Sequence, residues 1–515
     1  MNKLAQYLNQ HISGEVVTEP DVLDAFSRDK GPLKYRPQMV VYPSNVSDIR
    51  KLMRFTWQLA EKGHTLPVTV RGSGAGISGA AAGDGIVVVT ERDLTTIAEY
   101  DGKQRLVRLQ PGASVASIQN TLGLQAAWLP DLLDEAPSVT IGGFVGDRQD
   151  ALSLVKELEV ILPNGDVLQT KRLSKREFGK KKGEQTFEGS VYRAIDTLIE
   201  EHGETIESID ENDRAGYASL AQVRGKDGSF DLTPLIVGSQ GSLGIISEMI
   251  VFSEYLASQQ TVMTLTFPTF DDARDALDQI AKLNPERIDF IDKYTIARAA
   301  ENGKQFTNSS DDKLPEAAFI IALADGSARA QVKKQKKITK LAEQFNGSVE
   351  PEFITKSNER APVWSLVSAG LRASKNDNKV ITLASGLYVP LERFEEMTQL
   401  IGELSSKYKS TIVIGGQPLK NRWRLYAELH FTTTAGRQLL LTLIDEIHAI
   451  AQKLGGTLIG AEGEGRLVGP LLDKARSDEV RLLDEKVKAI FDPHDILNPG
   501  VKQVVKLQEI AKRIS

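Results

Sequence analysis

The chain has 515 residues and a formal net charge of −6 at pH 7, and 41% of its residues are hydrophobic and 26% charged. This length allows two or three domains with large buried cores, and the composition excludes bulk disorder, collagen and coiled coil. The acidic balance argues against a protein whose main role is to hold nucleic acid.

The chain contains no cysteine, which excludes disulfides, iron–sulfur clusters, thiolate zinc sites and a cysteine nucleophile. The first residues lack the apolar core of a signal peptide, and no apolar run approaches the roughly 18–20 residues that cross a bilayer. We therefore expect a cytoplasmic protein.

The first half of the chain predicts mixed α/β structure. Short runs rich in β-branched residues predict strands, and the polar residues 44–48 predict a cap before a helix that continues through Leu59. The predicted strands are 39–42, 66–70, 86–89, 106–109, 158–162 and 245–252.

From about residue 258 the pattern changes to strand, helix, strand, and this plan is then repeated. It predicts an antiparallel sheet covered by helices, with a domain boundary near residue 255. The predicted strands are 262–267, 287–291, 317–324, 380–387, 411–414, 424–431 and 457–459, and the predicted helices are 271–283, 329–345, 391–408 and 435–454.

Residues 171–182 carry seven cations around one glutamate. We expect this segment, from Lys171 to Lys182, to be a solvated loop. Peripheral contact with an anionic partner or a membrane surface is the alternative.

The densest glycine cluster, residues 71–85, contains a G-x-G-x-x-G pattern from Gly74 to Gly79, with Glu91 at 17 residues after Gly74. A Rossmann fold would need a crossover helix directly after this pattern, yet only residues 80–85 separate it from the predicted strand 86–89. The cluster is therefore interpreted as a loop whose backbone N–H groups suit a pyrophosphate, and the alternative is a tight turn without a ligand.

Two further tracts, 138–143 and 238–246, are also rich in glycine and hydroxyl side chains and lie between apolar segments. With residues 71–79 and the terminal segment 492–500, they resemble flavoproteins with the vanillyl-alcohol-oxidase or p-cresol-methylhydroxylase type of FAD domain, in the branch of the FAD-linked D-2-hydroxyacid dehydrogenases. The residues that this resemblance assigns to FAD are Arg71, Gly72, Ser73, Gly74, Ala75, Gly76, Ser78, Gly79, Ser138, Thr140, Gly142, Gly143, Gly238, Gly241, Ser242, Gly244, Ile245 and Asn498.

The resemblance implies an α+β fold: a two-subdomain FAD-binding domain at 37–255, preceded by a lead segment at 1–36, and an α+β cap domain with an antiparallel sheet at 256–482. It also implies that residues 483–515 return to the flavin, bringing Asn498 with them.

The chain departs from this family where the metal and the base are expected. The family's first motif has two histidines, of which only His430 is matched here, and its Gly-Glu-His-Gly segment reads Gly460-Ala461-Glu462-Gly463. The loop after Gly143 lacks the family's Asn-Ala-Gly-Gly and is shorter. We therefore expect turnover without a divalent metal.

We expect an FAD-dependent oxidoreductase that removes hydride from a polar small molecule, such as a 2-hydroxy acid or a related alcohol, with an unknown electron acceptor. Glu462 is the candidate base, with His430 as a second catalytic candidate. The candidate groups for a substrate anion are Arg372, Lys420, Arg424 and Arg466. The alternatives are an FAD-binding scaffold without turnover and a nicotinamide-dependent dehydrogenase on a Rossmann fold.

We predict that FAD is bound without a covalent link, because attachment in this superfamily uses a histidine or cysteine and residues 71–79 contain neither. Acid precipitation of the purified protein should leave a yellow supernatant. Colour that stays in the washed pellet would contradict this prediction.

Overall fold

The computed structural model describes residues 3–132, 135–256, 259–301, 314–345, 351–367, 369, 379–431, 433–471 and 476–515. The chain forms two compact units, one made of residues 1–255 with 461–515 and the other of residues 256–460. The sequence predicts a second domain that ends at residue 482. In the structure the second unit ends at Gly460, and the residues after it belong to the first unit.

The first unit contains eleven of the strands that lie in the described part of the chain. They are β1 (Glu15–Val17), β2 (Met39–Tyr42), β3 (Val68–Arg71), β4 (Ile86–Val89), β5 (Ile97–Asp101), β6 (Leu106–Leu109), β7 (Ala127–Trp128), β8 (Val155–Ile161), β9 (Val167–Thr170), β10 (Ile245–Phe252) and β11 (Glu254–Tyr255). Its α-helices are Lys3–His11, Pro20–Ala25, Val46–Glu61, Val115–Gly123, Ile141–Asp147, Lys175–Gly183, Phe187–Glu201, Gly203–Glu207, Thr233–Ile236, Asp478–Phe491 and Leu507–Arg513.

The first sheet has the order β1-β2-β4-β3, and both β2 and β3 run parallel to β4. Residues 72–85, which join β3 to β4, contain no helix. The Rossmann alternative is therefore wrong, because that fold needs a helix at this crossover. The carboxyl end of β3 leads instead directly into the glycine-rich loop.

The second sheet is antiparallel and has the order β5-β6-β10-β8-β9. Its central strand, β10, has the predicted bounds 245–252. Buried side chains from this sheet and from the helices over it form the largest hydrophobic cluster of the first unit, which includes Val160, Met249 and Val251.

The second unit contains the antiparallel sheet that the sequence predicts, with six strands in the order β12-β14-β13-β16-β17-β15. The strands are β12 (Gln259–Phe267), β13 (Arg287–Asp292), β14 (Ala317–Asp325), β15 (Lys379–Tyr388), β16 (Ile412–Gln417) and β17 (Arg422–Leu429), and the α-helices are Phe270–Ala281, Lys293–Glu301, Ala328–Ala342, Ser357–Trp364, Phe394–Tyr408 and Thr434–Lys453. The strand predicted at 457–459 is reduced to one bridge between Thr457 and Tyr388.

The cationic segment 171–182 is not a loop, so that prediction is wrong. Ser174 and Glu177 form a capping box at the start of the helix Lys175–Gly183. Phe178 is buried and stacks on Phe230 with 4.1 Å between ring centroids. Contact of this segment with an anionic partner or a membrane stays a prediction.

None of the helices in the described residues is long and apolar enough to cross a membrane.

The segment 461–515 contains a buried ion pair that binds Gly216, a residue of the first unit outside the segment. Lys502 Nζ lies 3.1 Å from Glu464 Oε2, and the two side chains are 2% and 0% exposed. Both ends of the pair also bond to one residue, since Lys502 donates to Gly216 O at 2.7 Å and Glu464 Oε1 accepts from Gly216 N at 2.8 Å. Every charge in this contact is therefore compensated inside the protein.

We predict that Lys502→Met lowers the free energy of unfolding by about 3–5 kcal/mol, because it leaves the Glu464 carboxylate buried without its cation. The measurement is urea-induced unfolding of the purified protein. Lys506→Met, at an exposed lysine of the same segment, should change little. The double variant Lys502→Met/Glu464→Gln should recover part of the loss, and a double variant no more stable than Lys502→Met would contradict this account.

Candidate active site

The first glycine tract presents a row of unpaired backbone donors. The N–H groups of residues 72–78 are seven in succession, and none has a hydrogen-bond acceptor among the described residues. Gly74 has φ +65°, a left-handed conformation that glycine adopts without strain. Successive N–H groups in a loop of this kind form an anion-binding concavity.

The N-terminal segment holds this tract in shape. Asp29 accepts hydrogen bonds from Gly79 N at 2.7 Å and from Gly31 N at 2.8 Å, and Lys30 N donates to Gly76 O at 2.9 Å. Burial raises the pKa of the Asp29 carboxyl, and these backbone N–H groups oppose that change.

Arg71 places a positive charge beside the same N–H groups. Its Nη1 donates to the carbonyl oxygens of Arg28 at 2.6 Å and Ala81 at 3.2 Å, which fixes the guanidinium over Gly74. Its Nε is buried and has no hydrogen-bond partner. Burial lowers the pKa of Arg71, and the nearby negative charge of Asp29 opposes this.

These features fit the pyrophosphate of FAD. Seven N–H donors and an unsatisfied guanidinium Nε lie together, and both are groups that phosphate oxygens accept from. The space beside Gly76 is open, because a Cβ built there would meet only Asp29 Oδ2, at 4.0 Å. A ligand can therefore approach the backbone at this point.

The second tract lies against the first. Thr140 caps the helix Ile141–Asp147 and accepts from Gly143 N at 3.3 Å. A Cβ at Gly72 would collide with Thr140 Oγ1, so the two loops touch only because residue 72 has no side chain. Ser138 is exposed, and Gly142 packs on Pro111.

The third tract is packed into the interior rather than lining an open surface. Gly238 and Gly241 both have φ +71°, Ser242 is bonded to Tyr217 Oη at 2.8 Å, and a Cβ at Gly244 would collide with Val160. Ile245 is the first residue of β10 and is fully buried.

The residue of this tract that faces the other tracts is Gln240, which the sequence analysis missed. Its Nε2 donates to Asp147 Oδ1 at 2.6 Å and to Ser78 Oγ at 3.3 Å, and its Oε1 accepts from Gly465 N at 2.9 Å. The Gln240 amide therefore links the first and third tracts to the end of the helix Ile141–Asp147 and to the segment 461–466. A positive φ of 54° at a non-glycine residue marks the position, but the sequence does not show it.

Asn498 reaches the first and third tracts, but the chain itself uses its whole amide. Nδ2 donates to Ala80 O at 2.8 Å and to Gln240 O at 2.7 Å, while Oδ1 accepts from Thr69 Oγ1 at 3.0 Å and Arg466 Nη2 at 2.8 Å. Four bonds are the full capacity of an asparagine side chain. Contact of Asn498 with FAD stays a prediction.

Arg466, a predicted substrate group, is buried in the first unit. Beyond Asn498, it donates to the carbonyl oxygens of Gly79, Ala82 and Pro499 at 2.6, 2.6 and 3.0 Å. Burial lowers its pKa. The guanidinium therefore fastens the end of the glycine tract to the C-terminal segment.

Glu462, the predicted base, lies opposite Arg148 in a short antiparallel bridge. Its Oε1 is 3.9 Å from Arg148 Nη1, which also lies 2.7 Å from Glu135 Oε1, and Arg148 Nε lies 3.2 Å from Asp150 Oδ1. Three carboxylates therefore share one cation. The sequence analysis missed this arginine and its neighbour Asp147.

Asp147 is the perturbed acid of this region. Removal from water raises the pKa of Asp147 to about 7, and the negative charge of Glu462 adds to the effect. The hydrogen bond from Gln240 and the positive charge of Arg148 oppose it.

The remaining candidates belong to the second unit. His430 is exposed and directly follows β17, Lys420 is exposed at the end of a 3₁₀ turn, and Arg424 lies within β17. Arg372 lies outside the described residues. No three His, Asp or Glu side chains within the described part of the chain are grouped as a metal site would require, and turnover without a metal stays a prediction.

The chain matches two family models. One is described as the C-terminal domain of FAD linked oxidases and matches residues 256–501, and the other is described as an FAD binding domain and matches residues 37–171. These matches confirm the resemblance and FAD as the cofactor.

Among curated proteins, the glycolate oxidase subunit GlcD of Bacillus subtilis is 23% identical over 481 residues, which cover 90% of this chain and 88% of that protein. D-2-hydroxyglutarate dehydrogenase of Pantoea ananatis is 23% identical over 521 residues, 95% of this chain. The chain spans about half the length of that dehydrogenase, 50%.

Among solved structures, p-cresol methylhydroxylase with bound substrate aligns with a TM-score of 0.68 at 13% identity, covering 98% of this chain and 97% of that one. This similarity confirms the predicted fold.

We predict that Gly76→Val abolishes FAD binding and leaves the fold intact, because its side chain would enter the open space beside the unpaired N–H groups. The measurements are the FAD content after purification and the circular dichroism spectrum. Gly123→Val, at a surface glycine with open space around it, should retain FAD. FAD bound at the wild-type ratio in Gly76→Val would place the pyrophosphate elsewhere.

Proposed function

We propose that the chain, which matches the two family models at residues 37–171 and 256–501, oxidises the CH–OH group of a 2-hydroxy acid or a related alcohol by hydride transfer to non-covalently bound FAD. The observation that carries the proposal is the row of seven unpaired N–H groups at residues 72–78 beside Arg71, in a chain that both family models match. FAD, when bound, supplies the two-electron acceptor.

The substrate class rests on the relatives. Those that match are named glycolate oxidase subunit, D-2-hydroxyglutarate dehydrogenase and D-lactate dehydrogenase, and each name refers to a 2-hydroxy acid. None is more than 23% identical, so the individual acid belongs to this proposal.

The chain's own residues have two tasks in this reaction. Residues 72–78 and Arg71 bind the pyrophosphate and thereby fix where the flavin lies. A cation must then hold the carboxylate of the donor, and Arg372, Lys420 and Arg424 are the proposed groups. Arg466 is the weakest of the predicted substrate groups, because four of its hydrogen bonds are made to the chain itself.

We predict that glycolate, D-lactate or D-2-hydroxyglutarate bleaches the visible absorbance of the bound FAD under anaerobic conditions. The controls are L-lactate, which has the opposite configuration, and propionate, which lacks the hydroxyl group to be oxidised. Whichever of these three acids is the donor should reduce the flavin at least about a hundredfold faster than the controls do. We call this acid the matched donor.

Dithionite serves as the reference for a flavin that can be reduced. If dithionite bleaches the protein and no 2-hydroxy acid does, the proposed activity is wrong, and the FAD-binding scaffold without turnover takes its place.

A further inference from the structure

We propose that Asp147 is the group that accepts the hydroxyl proton of the donor when the hydride leaves. This inference rests on the proposed function and names the proton acceptor for that reaction. It assigns the role to a residue other than Glu462, the candidate taken from the sequence.

Asp147 contacts the third tract and the segment 461–466, and it ends the helix that the second tract begins. It is the last residue of the helix Ile141–Asp147, which the second tract begins. Gln240 of the third tract binds its carboxylate and also Ser78 of the first tract. Its carbonyl oxygen accepts from Gly463 N at 2.8 Å, so the segment 461–466 runs alongside.

One oxygen of the Asp147 carboxylate is available. Oδ1 accepts the bond from Gln240, while Oδ2 has no partner among the described residues. Asp147 as a whole residue is half-buried, and the space beside the preceding residue, Gly146, is open. A donor hydroxyl can therefore reach Oδ2, while Gln240 keeps the carboxylate from rotating.

Four groups set the protonation of Asp147. Burial raises its pKa most, Glu462 on the adjacent segment and Asp29 on the N-terminal segment raise it further, and Gln240 and Arg148 lower it, with a net value of about 7. A group with a pKa near the working pH is present in both forms, which proton exchange requires.

Glu462 is arranged for a different task. It faces Arg148, which is already shared with Glu135 and Asp150. Its negative charge is next to Asp147 and raises the pKa of that group. Glu462 is therefore a positioning residue that acts through the pKa of Asp147.

The step balances as follows. The donor's C–H bond breaks and the hydrogen leaves as hydride with both electrons of that bond, for which bound FAD would supply the two-electron acceptor. The O–H proton passes to Asp147 Oδ2, and the C–O single bond becomes a carbonyl. Asp147 afterwards releases the proton to water.

The first experiment compares Asp147→Asn with the wild-type holoenzyme. This variant should retain FAD and reduce the rate of flavin bleaching by the matched donor by about a hundredfold or more. The wild-type rate should rise with pH through about 7, because the ionised form of Asp147 is the acceptor, and the variant should lose this rise. Asp93→Asn, at a surface carboxylate bonded to Arg92, should change neither rate nor pH profile.

The second experiment observes the carboxyl group without turnover. The infrared band of the protonated carboxyl, taken as wild type minus Asp147→Asn, should titrate with a midpoint at about pH 7 in the FAD-bound protein. Glu462→Gln should move this midpoint and the rate profile to lower pH, and Gln240→Leu should move both to higher pH. If Asp147 had only a structural role, these two variants would not shift the titration midpoint and the pH–rate profile in opposite directions.

The outcomes separate this inference from the proposed function. If no 2-hydroxy acid bleaches the wild-type flavin, the proposed function is wrong and this assignment falls with it. If the wild type is reduced and Asp147→Asn is reduced equally fast with the same pH profile, the proposed function stands and only the assignment is overturned. The absence of a titration near pH 7, or shifts of the same sign in both partner variants, would also overturn it.

Discussion

Seven successive backbone N–H groups, which have no hydrogen-bond acceptor in the part of the chain that the structure describes, must be held in position, and contacts from several parts of the first unit do this. A loop with this many unsatisfied donors gains no stability from its own hydrogen bonds. Its shape is therefore set from outside, by Asp29 at Gly79, by Arg71 across Ala81 and by Thr140 against Gly72.

The second support comes from the other end of the chain. Residues 496–498 run beside β3, where Val68 N donates to Ile496 O and Asn498 N donates to Val68 O, each at 2.8 Å. This strand-like contact places Asn498 and Arg466 beside the glycine tract. Buried polar groups whose hydrogen bonds are all satisfied are rigid. Here they hold in place a loop whose N–H groups at residues 72–78 have no acceptor among the described residues.

The sequence predicted those parts of the fold that depend on residues close together in the chain. The bounds of β10, the missing helix after residue 79 and the antiparallel sheet of the second unit all follow from the spacing of apolar residues and glycines. The helix Lys175–Gly183 was predicted as a loop because a run of cations is typical of solvated loops, although Ser174 and Glu177 have the spacing of a capping box.

The site was only partly predictable, for a physical reason. A glycine tract is recognisable from its composition. The roles of Gln240 and Asp147 are not, because they depend on residues distant in sequence. Gln240 bonds to Ser78 and Gly465, and the charge of Glu462 acts on Asp147. Arg466 was predicted to bind substrate because two of the carbonyl groups that it binds, those of Gly79 and Ala82, lie 387 and 384 residues earlier in the chain.

The contacts of Arg466 and Asn498 also impose an order on biosynthesis. Residues 72–85 leave the ribosome early, whereas the side chains that fasten them are made only after the whole second unit, residues 256–460, has been translated. At roughly 5–20 residues per second, the synthesis of Arg466 follows that of residue 85 by about 20–80 seconds. Until Arg466 and Asn498 have been made, the glycine tract lacks the hydrogen bonds that these side chains donate to Gly79 O and Ala80 O. We therefore expect FAD to bind stably only to chains that have been translated beyond Asn498.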